Sequence, residues 1–173
     1  MISTKKILIA GVGNELRQDD AFGIELCRKL ADAELPSHVK IMEVGIGGIH
    51  LVQELYDNYD VLLILDAVSW GGKPGEIYFK EIEVGDIKEW STDKQRAFLA
   101  DMHYTNPTRA LMLAKALNIL PVHVFMLGCE AGAHDDFAIG ISEAVNKSIP
   151  IARNTILGWL KTTQNIQVNT NKP

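Results

Sequence analysis

Two adjacent carboxylates follow the first strongly apolar segment of this chain. The loop reads GVGNELRQDD, and Asp19 and Asp20 end it just before a segment with helical periodicity. Aspartate is favoured at helix N-caps and in first helical turns, where its side chain accepts hydrogen bonds from unpaired backbone amides. We assign Asp19 mainly to that capping role. Because one cap does not need two acids, Asp20 remains available for a ligand or for catalysis.

A further carboxylate, Asp66, ends the apolar run at residues 61–65. A carboxylate at the carboxyl end of a buried strand has to be compensated. Either loop amides donate hydrogen bonds to it, or it is reserved for a ligand. The residues leave both interpretations open.

Of the five histidines, His103 is the best candidate for a site residue. It precedes a segment that predicts a buried helix, and the helix dipole there favours the neutral imidazole, which is the form that binds metals. Together with two carboxylates it would give a mixed oxygen and nitrogen site that suits Ni²⁺ or Zn²⁺. His134 is a weaker metal-ligand candidate in a loop. The other three histidines are interpreted as structural or exposed.

Alternating strands and helices have to position these residues. Apolar runs predict strands at residues 6–10, 39–44, 61–65, 76–82 and 121–127, and helical periodicity predicts helices at 21–33, 48–56, 107–117 and 142–160. This order implies an α/β fold, a three-layer α/β/α sandwich with a mostly parallel twisted sheet of about five strands. In such sheets ligands bind outside the carboxyl ends of the strands. The loops that follow the strands are therefore the expected site.

Glycine and proline positions refine this prediction. The strand at 76–82 follows a glycine-rich turn with no helix before it, which predicts an antiparallel edge strand. Gly13 is expected to permit the turn after the first strand, and Gly23 to let the first helix approach the sheet closely. Pro150 predicts a kink or a break in the last helix.

Composition limits the class of protein. The 173 residues carry a net charge of −5 and no basic run, so nucleic acid is not an expected partner. Apolar segments are too short to span a bilayer. Cys27 and Cys129 lack CxxC partners, which favours a reducing compartment. We expect a single domain over residues 1–173 with a disordered tail from about 162, in a protein that is soluble, cytoplasmic and monomeric.

The glycines of the first loop also suggest a nucleotide-binding α/β oxidoreductase module. A strand followed by GxG is typical of dinucleotide binding, with the phosphates at a helix N-terminus. Leu16 occupies the place of the third glycine, and two carboxylates would repel a pyrophosphate. This alternative is therefore the weaker one.

The segment GVGNELRQDDAFG resembles the GxGNxLxxDDxxG signature of the hydrogenase maturation endopeptidases. The resemblance continues through Asp66 after the third apolar run, through His103 before the next helix and through GISEAV after the last strand, and it covers about residues 5–160. It implies an aspartyl-type peptidase that removes the C-terminal extension of the large subunit of [NiFe] hydrogenases after nickel insertion. By matching motifs, it implies that Asp20, Asp66 and His103 contact the metal and carry catalysis.

The same resemblance implies a nickel ion that the precursor of the large subunit carries, for which Zn²⁺ or Cd²⁺ can substitute. A water polarised by the metal or by a carboxylate would attack, and the residues do not decide between them. No cysteine nucleophile is expected, because Cys27 falls on a helical core stripe and Cys129, in a loop that faces the site, has no identified base. A non-catalytic nickel sensor or chaperone with the same three residues is an open alternative.

Two segments depart from the family pattern. Residues 43–48 read EVGIGG where the family often has an Asp-Gly-Gly-Thr-like turn, and Ala131 follows Glu130 where a proline is usual. Both loops are expected to touch the substrate, so they bear on which hydrogenase is served.

Overall fold

The computed structural model describes residues 5–100, 107–132 and 137–163. Within these ranges the chain forms five strands and five α-helices. The strands are β1 (Ile7–Val12), β2 (Val39–Gly45), β3 (Val61–Val68), β4 (Ile77–Glu81) and β5 (His123–Glu130), and the helices are α1 (Phe22–Ala31), α2 (Gly48–Leu55), α3 (Thr92–Ala100), α4 (Pro107–Ala116) and α5 (Glu143–Thr163). Short 3₁₀ turns lie at Gln18–Ala21 and Ile87–Glu89.

All five strands form one sheet in the order β2-β1-β3-β5-β4. The first four of these pair in parallel, and β4 pairs antiparallel with β5. Strands β1 and β3 are nearly continuously apolar because helices cover both of their faces. The expected fold class and the antiparallel edge strand are both confirmed.

Helices cover the sheet on two sides. On one face α1 and α5 pack through Leu26, Leu30, Val145 and Ile156 against the odd-numbered apolar residues of β1 and β3. On the other face α2 and α4 pack against the even-numbered ones. No helix in the described ranges has both the length and the apolar character needed to cross a membrane.

Some elements differ from the sequence-based prediction. Helix α3 was not predicted because it has a single buried residue, Phe98, and so lacks an apolar stripe. The break at Pro150 is wrong, since α5 runs through that residue to Thr163, inside the segment expected to form the tail. Residues 164–173 lie outside the described residues. Strand β3 extends to Val68, so Asp66 belongs to the strand itself rather than to the loop after it.

Two glycines bring the first loop and the first helix close to the sheet. Gly13 has a φ of +138°, and a Cβ there would overlap the carbonyl oxygen of Asp20. A Cβ on Gly23 would overlap the carbonyl oxygens of Val12, the last residue of β1, and of Leu65 in β3. Both expectations for these glycines are confirmed. Their close contacts place the 3₁₀ turn Gln18–Ala21 over the carboxyl end of β3.

Candidate active site

Asp20 and Asp66 lie together at the carboxyl edge of the sheet. Asp20 is in the 3₁₀ turn between β1 and α1, and Asp66 is in the last part of β3. Both side chains are partly buried. The two carboxylates are close enough to interact, since the negative charge of Asp20 adds to the effect of burial in raising the pKa of Asp66. The structure therefore brings together two of the three residues on which the expected metal contact depends.

The environment of Asp66 disfavours its charged form. Burial is the largest cause that raises its pKa, the charge of Asp20 raises it further, and the backbone amide of Ala67 lowers it. The result is a pKa of about 7. The sequence left open whether amides or a ligand compensate Asp66. Among the described residues a single amide, that of Ala67 in β3, donates to it, and this does not compensate the charge.

The Asp20 carboxylate accepts no hydrogen bond from the residues that the structure describes. Its backbone is nevertheless fixed, because the Asp20 carbonyl accepts from the amide of Asn14 at 3.2 Å and its amide donates to the carbonyl of Arg17 at 3.1 Å. A carboxylate on a fixed backbone with unused lone pairs can bind a cation or a hydrogen-bond donor. With Asp66 it forms a pair of like charges that a positively charged ligand would stabilise.

His103, the third residue of the expected set, lies outside the described residues, as does His134. Among the residues that are described, no three His, Cys, Asp or Glu side chains are grouped so that they could hold a metal ion. Helix α4, which follows His103 in the chain, begins at Pro107 and packs on the even-numbered face of β3. Asp66 belongs to that same face, because side chains alternate along a strand.

Asp19 has a structural role, but the predicted N-cap is wrong. Neither the 3₁₀ turn nor α1 has a side-chain cap. Asp19 is 0% exposed, and its carboxylate accepts from the amide of Gly132 at 2.8 Å and from the amide and hydroxyl of Ser142 at 2.6 and 2.9 Å. These hydrogen bonds join the first loop to the segment between β5 and α5. These partners lie more than a hundred residues away in the chain, so local sequence could not reveal them.

The backbone strengthens this connection between loops. The amide of Gln18 donates to the carbonyl of Ala138 at 3.0 Å, and the amide of Ala138 donates to the carbonyl of Leu16 at 3.1 Å. The turn that carries Asp20 is therefore fixed from two sides, by side chain and by backbone.

Glu130, at the end of β5, organises another loop of the same edge. Its side chain accepts from the amides of Trp70 and Gly71, each at 3.0 Å, and the residue is 4% exposed. Burial raises the pKa of Glu130, but these backbone donors and the hydroxyl of Tyr78 outweigh that effect and hold the pKa below its usual value. This role of Glu130 was not predicted from the sequence. Two features of the sequence could have indicated it. Glu130 ends an apolar strand, and the neighbouring strand β3 is followed by the Gly71-Gly72 turn, whose amides are free to donate to a carboxylate.

Neither cysteine is placed for nucleophilic chemistry. Cys27 is buried on the core side of α1, as expected. Cys129 was expected in a loop facing the site, which is wrong: it lies within β5, is fully buried and points to the sheet face opposite to Asp66. Burial raises the pKa of each thiol to about 12.

A cleft of about 360 Å³ runs beside the first loop. Glu15 and Leu16 line one side, and Glu43 and Ile46 line the other. Arg28 connects the two sides through ion pairs with Glu15 at 2.6 Å and Glu43 at 3.0 Å. The segment that departs from the family pattern after β2 thus borders an open cleft next to the turn of Asp20.

Comparison with known proteins gives one consistent result. The family model described as hydrogenase maturation protease matches residues 24–159. A protein of Methanocaldococcus jannaschii described as a hydrogenase maturation protease is 31% identical over 167 residues, which covers 91% of this chain and 97% of the relative.

Solved structures agree with the sequence relatives. The hydrogenase 2 maturation peptidase from a Thaumarchaeota archaeon superposes with a TM-score of 0.67 at 29% identity, covering 91% of this chain and 99% of that one. The hydrogenase maturating endopeptidase HybD from E. coli superposes with a TM-score of 0.72, covering 91% and 93% of the two chains. At 23% identity, that second likeness concerns the fold.

Proposed function

This chain belongs to the hydrogenase maturation protease family and is an endopeptidase; from this premise we propose that it removes the C-terminal extension of a [NiFe] hydrogenase large-subunit precursor after nickel insertion. The bound nickel would be part of the substrate and would signal that the precursor is ready for cleavage. Asp20, Asp66 and His103 are the residues assigned to contact it.

The observation that carries this proposal is the pair of poorly compensated carboxylates at one sheet edge. Asp20 and Asp66 repel each other, Asp20 accepts no hydrogen bond from the described residues, and burial disfavours charge on Asp66. A divalent cation delivered by the precursor would relieve all three effects. Carboxylate oxygens with an imidazole nitrogen form a ligand set that a borderline cation accepts.

Cleavage would depend on metal loading for the same reason. A precursor without nickel offers no cation to hold the chain next to the two carboxylates, so its scissile bond would not be positioned. In a nickel-loaded precursor, a water polarised by the metal or by a carboxylate would add to the scissile carbonyl carbon. The departing amine would then receive a proton, and the extension would leave.

The alternatives are less well supported. A nickel sensor or chaperone would use the same residues, but the relatives named as proteases favour hydrolysis. A nucleotide-binding module needs a helix N-terminus open to phosphate, whereas Phe22, Gly23 and Ile24 at the start of α1 are buried. We include a cytoplasmic location in the proposal because both cysteines of the chain are free thiols.

The test is cleavage of purified large-subunit precursors from the organism that encodes this chain. Each precursor is incubated with the protein in its nickel-loaded and nickel-free forms, and mass spectrometry follows the loss of its C-terminal segment. We expect cleavage of at least one nickel-loaded precursor and none of its nickel-free form. Equal cleavage of both forms would contradict nickel recognition, and cleavage of neither would contradict the assignment of substrate.

A further inference from the structure

Trp70 is an exposed aromatic side chain that the fold nevertheless fixes in place. It is 47% exposed, and it lies four positions beyond Asp66 in the chain. Its amide donates to Glu130 at 3.0 Å. Its ring lies 5.0 Å from the ring of Tyr78, and the ammonium of Lys80 is 3.9 Å from the indole centroid. Backbone and ring are thus both held while much of the indole faces solvent.

From this arrangement we propose that Trp70 and Lys80 form a docking platform for the precursor that is cleaved. The indole would pack against an apolar or aromatic side chain of the precursor, and Lys80 would pair with a neighbouring carboxylate side chain of the same segment. This inference rests on the proposed function, because it takes the precursor as the partner. It adds two residues, outside the three assigned to the metal, that set affinity for the substrate.

Continuity with the candidate site supports the platform. Asp66 pairs with Gly128 across β3 and β5, and Gly128 pairs with Tyr78 across β5 and β4. Paired residues on neighbouring strands point to the same face, and strands lie about 4.8 Å apart, so Tyr78 is ~10 Å from Asp66 on one row of the sheet. A polypeptide held at Asp66 would reach the indole above Tyr78 with about three extended residues.

Charge supports a carboxylate as the second half of the ligand. Lys80 is exposed on the edge strand β4, and none of the ion pairs formed by the described residues includes it. Among the residues that the structure describes, the indole is the only partner of its ammonium. A cation over an aromatic ring still has donors left for a carboxylate. The precursor segment that fits the platform therefore carries an acidic residue beside an apolar one.

Glu130 makes the platform rigid without touching the partner. A buried carboxylate is costly unless donors compensate it, and here the compensating donors are the amides of Trp70 and Gly71. An aromatic residue that is fixed before binding loses little conformational freedom on binding, which is a property of residues that dominate interfaces. Glu130 is therefore a positioning residue that acts through Trp70.

The test combines cleavage kinetics with equilibrium binding. On the nickel-loaded precursor, Trp70→Ala and Lys80→Glu are expected to raise KM at least 10-fold while kcat changes less than twofold. On the nickel-free precursor, where no turnover is expected, each is expected to raise Kd to a similar degree. Trp70→Phe, which keeps an aromatic face, should restore most of the affinity. Glu130→Gln should raise KM in the wild-type chain but add nothing to Trp70→Ala.

Matched controls lie at the opposite end of the molecule. Tyr56→Ala removes an exposed aromatic ring after α2, and Lys161→Glu reverses an exposed lysine near the end of α5; neither should change KM or Kd. Unchanged KM and Kd in both platform variants would overturn the inference while wild-type cleavage upholds the proposed function. If Trp70→Ala changes KM and Kd but Lys80→Glu does not, the claim that the precursor segment carries a carboxylate is overturned. Analytical ultracentrifugation tests self-association. If the wild type forms a dimer that Trp70→Ala loses, the platform binds a second copy of this chain, and the inference that it binds the precursor is overturned.

Discussion

Among the described carboxylates at the carboxyl edge of the sheet, four form two contrasting pairs. Asp19 and Glu130 are almost fully buried, and each is surrounded by amide or hydroxyl donors. Asp20 and Asp66 are more exposed and repel each other, and within the described part of the chain the amide of Ala67 is the only backbone donor to either carboxylate. The first pair is compensated within the fold, whereas the second pair is not.

This difference shows that acids at one edge of a sheet can have two roles, one that stabilises the fold and one that is available to bind a ligand. Burying a charge is tolerated where the fold supplies donors, and those donors then fix the loops that supply them. Asp19 in this way fixes the turn that carries Asp20, and Glu130 fixes the loop that follows Asp66. The compensated acids hold the uncompensated acids in place, and an uncompensated pair is what a cationic substrate group can bind.

The largest effect is expected from Asp20→Asn, which removes one charge of the uncompensated pair. Asparagine keeps the shape of the side chain, and Asp20 accepts no hydrogen bond from the described residues that the variant could lose. Stability should therefore stay within about 0.5 kcal/mol, as for other substitutions without special contacts. Cleavage of the nickel-loaded precursor should fall at least ~100-fold, the lower end of the loss seen when one preorganised electrostatic group is removed from a reacting centre.

Mass spectrometry of the precursor and thermal unfolding of the variant check this expectation together. Glu25→Gln is a suitable control, because Glu25 is also an acid near the first loop, and its one ion pair among the described residues is with Arg28 on the surface. Full cleavage by Asp20→Asn would contradict the role of the uncompensated pair. A large fall in the melting temperature would instead place Asp20 with the structural acids.

The second effect concerns the compensated pair. Asp19 accepts three hydrogen bonds from the described residues, and Asp19→Asn would place an amide NH₂ group against the donors of Gly132 and Ser142. Losing charge-assisted bonds in a buried site should cost about 2–3 kcal/mol of unfolding free energy. For a chain of this size that corresponds to a fall of roughly 5–10 °C in the melting temperature.

Thermal unfolding by circular dichroism measures this fall, and kcat per folded molecule should change much less than in Asp20→Asn. The comparison between neighbouring residues 19 and 20 is then a direct test of how the two acids are divided. A melting temperature equal to that of the wild type would show that the buried hydrogen bonds of Asp19 do not stabilise the fold.

The sequence predicted the architecture well because apolar periodicity records which faces are buried. Runs that are apolar throughout predicted β1, β3 and β5, and the turn before β4 predicted its antiparallel direction. The first loop and Asp66 could be singled out because a charge next to a buried strand has to be compensated. The roles of Asp19 and Glu130 could not be predicted, because their hydrogen-bond partners lie far away in the chain. Helix α3 could not be predicted either, because it has one buried side chain in place of an apolar stripe.

A third, smaller effect is expected from Glu130→Gln. Because the pKa of Glu130 is held below its usual value in the folded chain, its charge stabilises the fold at pH values above the pKa of the unfolded chain, near 4.5. That stabilisation is lost as the pH falls through the folded pKa. At pH 7 the variant should therefore unfold at a lower urea concentration than the wild type, because the amides of Trp70 and Gly71 lose a charged acceptor.

Urea unfolding at pH 7 and at pH 3.5 checks the sign. The difference between wild type and Glu130→Gln should shrink at the lower pH, where the wild-type carboxyl begins to take up its proton. A difference that is constant across this range would show that the shape of the side chain, and not its charge, fixes the Trp70–Gly71 turn.

The smallest effect has the opposite sign and comes from Asp66→Asn. The pKa of Asp66 is about 7 in the folded chain against 3.8 for the ordinary group, so between these values the folded state binds more protons than the unfolded state. Wild-type stability therefore falls as the pH rises from about 4 to 7, and it stays lower above that range. Asparagine has no charge to bury and does not repel Asp20. In the absence of metal the unfolding free energy of the variant should thus match that of the wild type near pH 4 and exceed it by about 1 kcal/mol at pH 8. This is less than the pKa shift implies, because the side chain is partly solvated.

Urea unfolding of both proteins at both pH values measures this difference in unfolding free energy. A variant that is less stable than the wild type at pH 8 would mean that Asp66 is compensated after all and belongs with Asp19 and Glu130; a more stable variant that no longer cleaves the precursor would show that the fold accepts a cost in stability to keep this charge at the site.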